Sequence, residues 1–300
     1  MEKRNIYITG ANGFIGKSLI NFFSNIDEVN VIGISHSSSN YVLDNIVYSD
    51  YKNIEWMRKV LKSKSILIHT AACIPKKQIS NLTNELFETN TSIDRFIVKS
   101  FLNFVDKFIY FSSISVYGYG HHDLINITEE SSLYTLDDYS KSKLYGERLI
   151  HTYYKNKEFI LRLSSPYGIG KSNIGILEDM IYKAIKNKDI EIYGNGVRTQ
   201  DYVYISDICK VVYNIVMNNT KTGIYNLATG NSCKISELAK IIISVYKSSS
   251  KLLSIDKEES TSVHIQNKKI CTEMNVNFVN IKEGIQHMYY SSMADRGKYK

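Results

Sequence analysis

The chain has only 2 prolines and 4 cysteines in 300 residues, and both scarcities exclude something. With so little proline there is no Pro/Ser linker, and no repeat or low-complexity block interrupts the chain. Any two lobes are therefore expected to be intimately joined. Cys73, Cys209, Cys233 and Cys271 are scattered with no CxxC pair. That spacing excludes a disulfide framework and a zinc site, and it implies reduced thiols in a cytosol-like compartment. Long apolar runs are missing too; IIISVY at 241–246 is far too short to cross a bilayer. A removable signal peptide is not expected, because recognisable chemistry starts within ten residues of Met1. A cytoplasmic protein without membrane partners is the expectation. Arginine-rich tracts and zinc-finger spacings are also lacking. The formal charge is 37 − 30 = +7 and is spread along the chain. This balance suits an anionic small molecule, and nucleic acid is not an expected partner.

Short, nearly continuous apolar runs are present, and they alternate with segments of helical period. NIYITG (5–10), NVIGIS (30–35), NIVYS (45–49), SILIHTAA (65–72), KFIYFSS (107–113) and EFILRLS (158–164) read as strands. Continuous hydrophobicity is what a strand covered by helices on both faces requires. FIGKSLINFFSNI, NIEWMRKVLKS, LFETNTSIDRFIVKSFLNF and YSKSKLYGERLIHTYYKN read as the intervening helices. The order predicts an α/β fold with a doubly wound, Rossmann-like parallel sheet and right-handed crossovers. After about residue 165 the pattern loosens into a smaller C-terminal lobe. The expected division is a dinucleotide-binding domain over 1–165, with 203–229 packing back on it, and a substrate lobe from 166–202 and 230–300.

TGANGFIG, residues 9–16, follows the first strand and opens the first helix. Glycines let the backbone turn tightly and approach a pyrophosphate, while the helix N-terminus offers N–H groups to the anion. Gly10, Gly13, Phe14, Ile15 and Gly16 are the predicted cofactor-binding turn. At the end of the second strand an acid would hold a ribose 2′-hydroxyl. The chain reads VIGISHSSSN there, with neither acid nor arginine. Ser35 and His36 are candidates for this end of the cofactor and equally for an exposed loop, and the missing acid tips the expectation slightly toward NADP over NAD. Asp50, closing the third strand, is a candidate for an adenine contact and equally a simple turn residue.

YSKSK, residues 139–143, places Tyr139 and Lys143 one helical turn apart, either as a solvated helix face or as a catalytic pair. In order along the chain stand TGANGFIG, HTAA (69–72), FSSISVYG (111–118), YSKSK and LRLSSPYG (161–168). Over residues 5–230 this set resembles the extended short-chain dehydrogenase/reductase family, in its nucleotide-sugar epimerase/dehydratase branch. The resemblance implies a catalytic triad of Ser113, Tyr139 and Lys143, with Ala71 and Ala72 of HTAA beside the cofactor and Tyr139 and Lys143 touching it. It also implies a nucleotide-sugar substrate and pairing into a homodimer through the helices around 85–104 and 139–157. A free tyrosine has a pKa of about 10, so work near pH 7 needs about three units, or roughly 4 kcal/mol. One ammonium about 4 Å away, at an effective dielectric near 20, is worth about that much. Lys143 is therefore expected to acidify Tyr139.

Members of that branch that eliminate water resemble a Thr/Ser-Asp-Glu pattern, whereas Ile114 and Ser115 follow Ser113 here. This argues against a 4,6-dehydratase and leaves Ser115 as a candidate substrate contact or a packed hydroxyl. Ser165 stands where the branch often carries Asn, and GNGVRTQDYVYISD (194–207) has Gln200 where Arg usually precedes Asp. Arg198 lies two residues earlier, on the same side of a strand, and is equally a candidate for the nucleotide diphosphate and an exposed turn arginine. Two reactions remain open: C4 epimerisation and reduction of a 4-keto sugar. The alternatives are a dinucleotide sensor without turnover and a reductase of a non-sugar ketone.

Overall fold

The structure is a computed structural model that describes residues 3–37, 39–43, 46–49, 53–75, 83–171, 175–258 and 261–297. The first half of the chain runs β1 (Arg4–Thr9), α1 (Phe14–Phe23), β2 (Val29–His36), β3 (Tyr41–Leu43), β4 (Ile46–Ser49), α2 (Ile54–Val60), β5 (Ser65–His69), α3 (Thr83–Phe101) and β6 (Val105–Ser113). After a single 3-10 turn at Ile114–Tyr117 come β7 (Leu124–Ile127), α4 (Asp138–Tyr154) and β8 (Glu158–Leu163). All six apolar runs are strands of one eight-stranded sheet, ordered strand Gly223–Leu227, β8, β6, β5, β1, β2, β4, β3. From β8 to β4 every neighbour is parallel, and the edge strand β3 is antiparallel to β4.

From β1 the chain builds outward through β2 and β4 on one side, then through β5, β6 and β8 on the other. The reversal lies between β1 and β5, and in such sheets the crevice at the carboxyl ends of these strands binds ligands. Register brings Thr9 beside Ile34 of β2 and beside His69 of β5, so the glycine turn starts at that crevice. The core on one face joins Tyr7, Leu67, Phe108, Tyr110 and Ile160 of the sheet to Ile97, Phe101, Ile150 and Tyr154 of α3 and α4. These helices supply apolar residues at helical spacing, and burying that stripe holds them against the strands.

Two compact units result, one of 1–118, 132–163 and 212–225, the other of 119–131, 164–211 and 226–300. The segment returning to the first unit is 212–225, shorter than the expected 203–229, and 119–131 belongs to the second unit. Within the second unit β7 pairs with strand Val263–Ile265, and strand Ser165–Tyr167 with strand Tyr202–Tyr204. Among the described residues no helix is long and apolar enough to cross a membrane.

Candidate active site

The glycine turn is shaped by space. Gly10 has φ +69°, and a Cβ there would sit 2.8 Å from Thr70 Oγ1 and 3.0 Å from Ala71 N. A side chain on Gly13, by contrast, would meet only Gly10 O, at 3.2 Å, and Gly13 is exposed. Gly13 N-caps α1 without a side-chain hydrogen bond, and the first turn holds no acid. Phe14, Ile15 and Gly16 thus begin a helix whose N-terminus no side chain covers, in front of an open glycine cradle. That arrangement fits a dinucleotide pyrophosphate, which needs N–H donors, partial positive charge and close backbone approach.

Ser35 is buried and accepts a hydrogen bond from Asn12 Nδ2 at 2.8 Å, so it braces the glycine turn from β2. His36 ends the same strand and is exposed. Asp50 lies outside the described residues. Ala71 and Ala72 follow β5 and are half-buried; the Ala71 N–H donates to Thr9 Oγ1 at 3.2 Å. The structure therefore gathers Gly10, Gly13, Ser35 and Ala71 around the ends of β1, β2 and β5.

Helix α4 starts where Asp137 caps it, its carboxylate accepting from the Ser140 N–H at 2.8 Å. Tyr139 is thereby placed in the first turn, and its hydroxyl is hydrogen-bonded to the Ser113 side chain at the end of β6. Ser113 Oγ also accepts from the Ser115 N–H at 3.1 Å. Lys143 is buried, with Nζ donating to Phe111 O at 2.9 Å and lying 5.9 Å from the Tyr139 ring centroid. The three residues named from the sequence come together.

The electrostatics differ from the expectation. Burial, followed by the Asp137 charge, outweighs the Ser113 hydrogen bond and pushes Tyr139 up to about 12. Desolvation penalises a phenolate in the free protein, and Lys143 points its ammonium at a backbone carbonyl instead of at the phenol oxygen. Burial also lowers Lys143, while the carboxylates of Asp94 and then Glu147 push it back up. Ser115 is buried, and its Oγ has no hydrogen-bond partner among the described residues.

In the second unit Arg198 lies just before the short strand Thr199–Gln200 and is hydrogen-bonded to Gln200. Arg198 Nη2 donates to Gln200 Oε1 at 2.7 Å and to the Tyr119 hydroxyl at 3.0 Å, while Nε donates to Thr261 O. Gln200 Nε2 donates to Ser165 Oγ at 2.6 Å. Arg198 is thus a buried member of a polar cluster, not an exposed turn residue. Ser165 and Arg198 are joined through the glutamine that replaces the expected arginine.

Several supporting residues escaped the sequence reading. Asn90 of α3 donates to Cys73 O and Ser142 Oγ, both at 3.1 Å, tying the loop after β5 to α4. Arg162 of β8 forks onto Glu147, with Nε to Oε1 at 3.0 Å and Nη2 to Oε2 at 2.7 Å. The available signals were a charge inside the apolar run EFILRLS and an acid four residues beyond Lys143.

Comparison with known proteins identifies the family. The model of the NAD dependent epimerase/dehydratase family matches residues 6–228, so the chain belongs to that family and is an enzyme of the extended short-chain dehydrogenase/reductase type. A putative UDP-glucose 4-epimerase of Methanocaldococcus jannaschii is 28% identical over 252 residues, which cover 79% of this chain and 81% of that one. An ADP-L-glycero-D-manno-heptose-6-epimerase of Brachyspira hyodysenteriae is 26% identical over 265 residues, 82% of each chain. Among solved structures, a UDP-glucuronic acid 4-epimerase from Bacillus cereus, in complex with UDP-glucuronic acid and NAD, has the same fold. It superposes with a TM-score of 0.81 at 21% identity over 95% of this chain and 98% of its own. The family description names NAD, and the tilt toward NADP finds no support in these relatives.

Proposed function

We propose that the protein is an NAD-dependent nucleotide-sugar epimerase acting at C4 of the sugar ring. The observation that carries this reading is the Tyr139 phenol, hydrogen-bonded to Ser113 with Lys143 on the same helix, beside an uncovered glycine cradle. NAD, when bound, supplies hydride acceptance and return at the nicotinamide. Gly10, Gly13, Phe14, Ile15 and Gly16 would hold its pyrophosphate, and Ala71 and Ala72 would lie beside it. Ser113 orients the sugar hydroxyl and relays its hydrogen bond to Tyr139. Tyr139 takes that proton and gives it back, and Lys143 provides the nearby positive charge. Ser115 offers a buried hydroxyl to the sugar.

The second unit supplies the substrate lobe in this reading. Arg198, Gln200 and Ser165 form the polar cluster that we assign to the nucleotide diphosphate. The relatives named as 4-epimerases and the NAD in their complexes favour epimerisation over net reduction. Ile114 and Ser115 leave the segment after β6 without the carboxylate pair expected for eliminating water. Free cysteines fit a reducing, cytoplasmic setting, and copies of the chain pair through α3 and α4.

Incubation with a panel of UDP-, ADP- and dTDP-sugars, following product stereochemistry and nicotinamide absorbance, tests the assignment. An isomer formed without net redox change supports the epimerase. Stoichiometric oxidation of added reduced nicotinamide by a keto sugar replaces it with the reductase, and NAD binding without turnover replaces it with a sensor.

A further inference from the structure

Beneath α4 runs a buried chain of polar groups: Thr9, His69, Asp94 and Tyr110. Its protons can be placed by counting. Thr9 Oγ1 accepts from the N–H groups of Thr70 at 3.1 Å and Ala71 at 3.2 Å. Its own hydrogen is therefore given to His69 Nδ1, 2.6 Å away. The ring proton of His69 then sits on Nε2 and is donated to Asp94 Oδ1 at 2.9 Å. Asp94 Oδ2 accepts from the Tyr110 hydroxyl at 3.1 Å. With both oxygens accepting, Asp94 is a carboxylate, and these two hydrogen-bond partners are neutral.

Helix α4 is cut to fit this charge. A Cβ on Gly146 would overlap Asp94 Oδ2 and the Tyr110 hydroxyl, so only glycine lets the helix settle there. Lys143 lies three residues before it, buried, with Nζ 5.0 Å from the Tyr110 ring centroid. The groups around that ammonium are Asp94 of α3, Glu147 and Tyr139 of α4, Tyr110 of β6 and, behind Asp94, His69 of β5. Glu147 is already matched by Arg162 of β8 in a two-point ion pair. Asp94 is the carboxylate left to balance Lys143.

We propose that Asp94 is a positioning residue, the buried counter-ion that keeps Lys143 an ammonium beside Tyr139, and that Gly146 is the space that admits it. The kinetic consequence rests on the acid/base reading of Tyr139 and Lys143 given above; the pairing itself does not. An isolated buried carboxylate is costly, and removing one member of such a pair strands the other.

The test is a double-mutant cycle on the full chain, comparing urea midpoints of wild type, Lys143→Met, Asp94→Asn and the double variant. Asparagine keeps the shape, accepting from His69 Nε2 and donating to the Tyr110 oxygen. Lys143→Met should lower the midpoint, and adding Asp94→Asn should raise it again. A double variant no more stable than Lys143→Met, or failure of both to fold, overturns the proposal. If Asp94→Asn alone does not fold, the comparison of Lys143→Met with the double variant still decides. On the sugar nucleotide identified by the panel, Asp94→Asn should move the acid limb of kcat/KM upward by at least about one pH unit. The reason is that a neutral Lys143 leaves Tyr139 without its cation. An unmoved profile of lower height overturns the role. Full turnover by Tyr139→Phe would remove the catalytic reading and leave the stability cycle untouched.

Discussion

Arg162→Met should destabilise the first unit through one buried ion pair. The guanidinium and the Glu147 carboxylate are 3% and 5% exposed and meet at 2.7 Å. A further Arg162 nitrogen donates to the Tyr117 hydroxyl at 2.8 Å, with the guanidinium carbon 4.9 Å from that ring centroid. Methionine fills much of the volume but leaves Glu147 buried with Ser112 as its remaining side-chain donor. Breaking a buried pair in this way costs about 3–5 kcal/mol, against a total stability of roughly 5–15 kcal/mol. Arg95 and Glu88 are the internal control. They stand 3.9 Å apart and are 41% and 68% exposed, so Arg95→Met should cost less than about 1 kcal/mol. Urea denaturation followed by far-UV circular dichroism measures both. The penalty should not fall as pH rises through the mildly alkaline range. Burial lowers Arg162, but the hydrogen bond and charge of Glu147, with Tyr117, carry it above the ordinary arginine value. A raised folded value means a contribution complete below the unfolded value and lost only as pH rises through the folded one. Both lie beyond the range of a folding assay. A loss no larger than that of Arg95→Met, or one that fades at mildly alkaline pH, would refute the reasoning.

Tyr139→Phe should bind NAD normally and lose turnover by roughly 10²- to 10⁴-fold, measured as product isomer per enzyme. Without dinucleotide, Tyr139 should titrate near pH 12, read from tyrosinate absorbance of wild type minus Tyr139→Phe; a midpoint at or below the free-tyrosine value would contradict the burial argument. Gly13→Val should fold, because φ −78° and ψ 165° suit any residue, yet lose NAD binding in calorimetry by filling the cradle. Arg198→Ala should raise the KM for the sugar nucleotide and spare NAD affinity; an unchanged KM would return Arg198 to a purely structural role.

What could be read from the chain and what could not divides along sequence distance. The six sheet strands were visible because a strand covered on both faces must be apolar throughout, and the glycine turn because a pyrophosphate site needs small residues at set intervals. Ser113, Tyr139 and Lys143 were singled out through motifs, and two of them lie in a single helical turn. Strand β3 was missed because Tyr41, Val42 and Leu43 are exposed on the sheet edge and have no buried face to create a period. Segment 119–131 falls in the second compact unit, and no local pattern announces it, because its partner strand Val263–Ile265 lies far along the sequence. The sign of the Tyr139 shift was missed for a related reason. A spacing of four residues reveals a neighbouring lysine but neither the depth of burial nor the carbonyl to which that lysine points.

The residues that escaped detection share one property: their partners lie on other elements. Two anions lie beneath α4, Glu147 on its own face and Asp94 rising from α3, and two cations face them, Arg162 and Lys143. Arg162 forks onto Glu147 in a fixed bidentate geometry, which suits a permanent structural pair. Lysine is a compact charge on a flexible stem whose pKa responds readily to burial, which suits the position next to a phenol to which we assign a proton exchange. Exchanging the two cations would put a rigid fork where a tunable ammonium is needed and a loose tether where the helix must be pinned. Lys143→Arg should therefore fold with the charge balance intact and still lose turnover. Turnover equal to wild type in that variant would show that charge alone is what this part of the site requires.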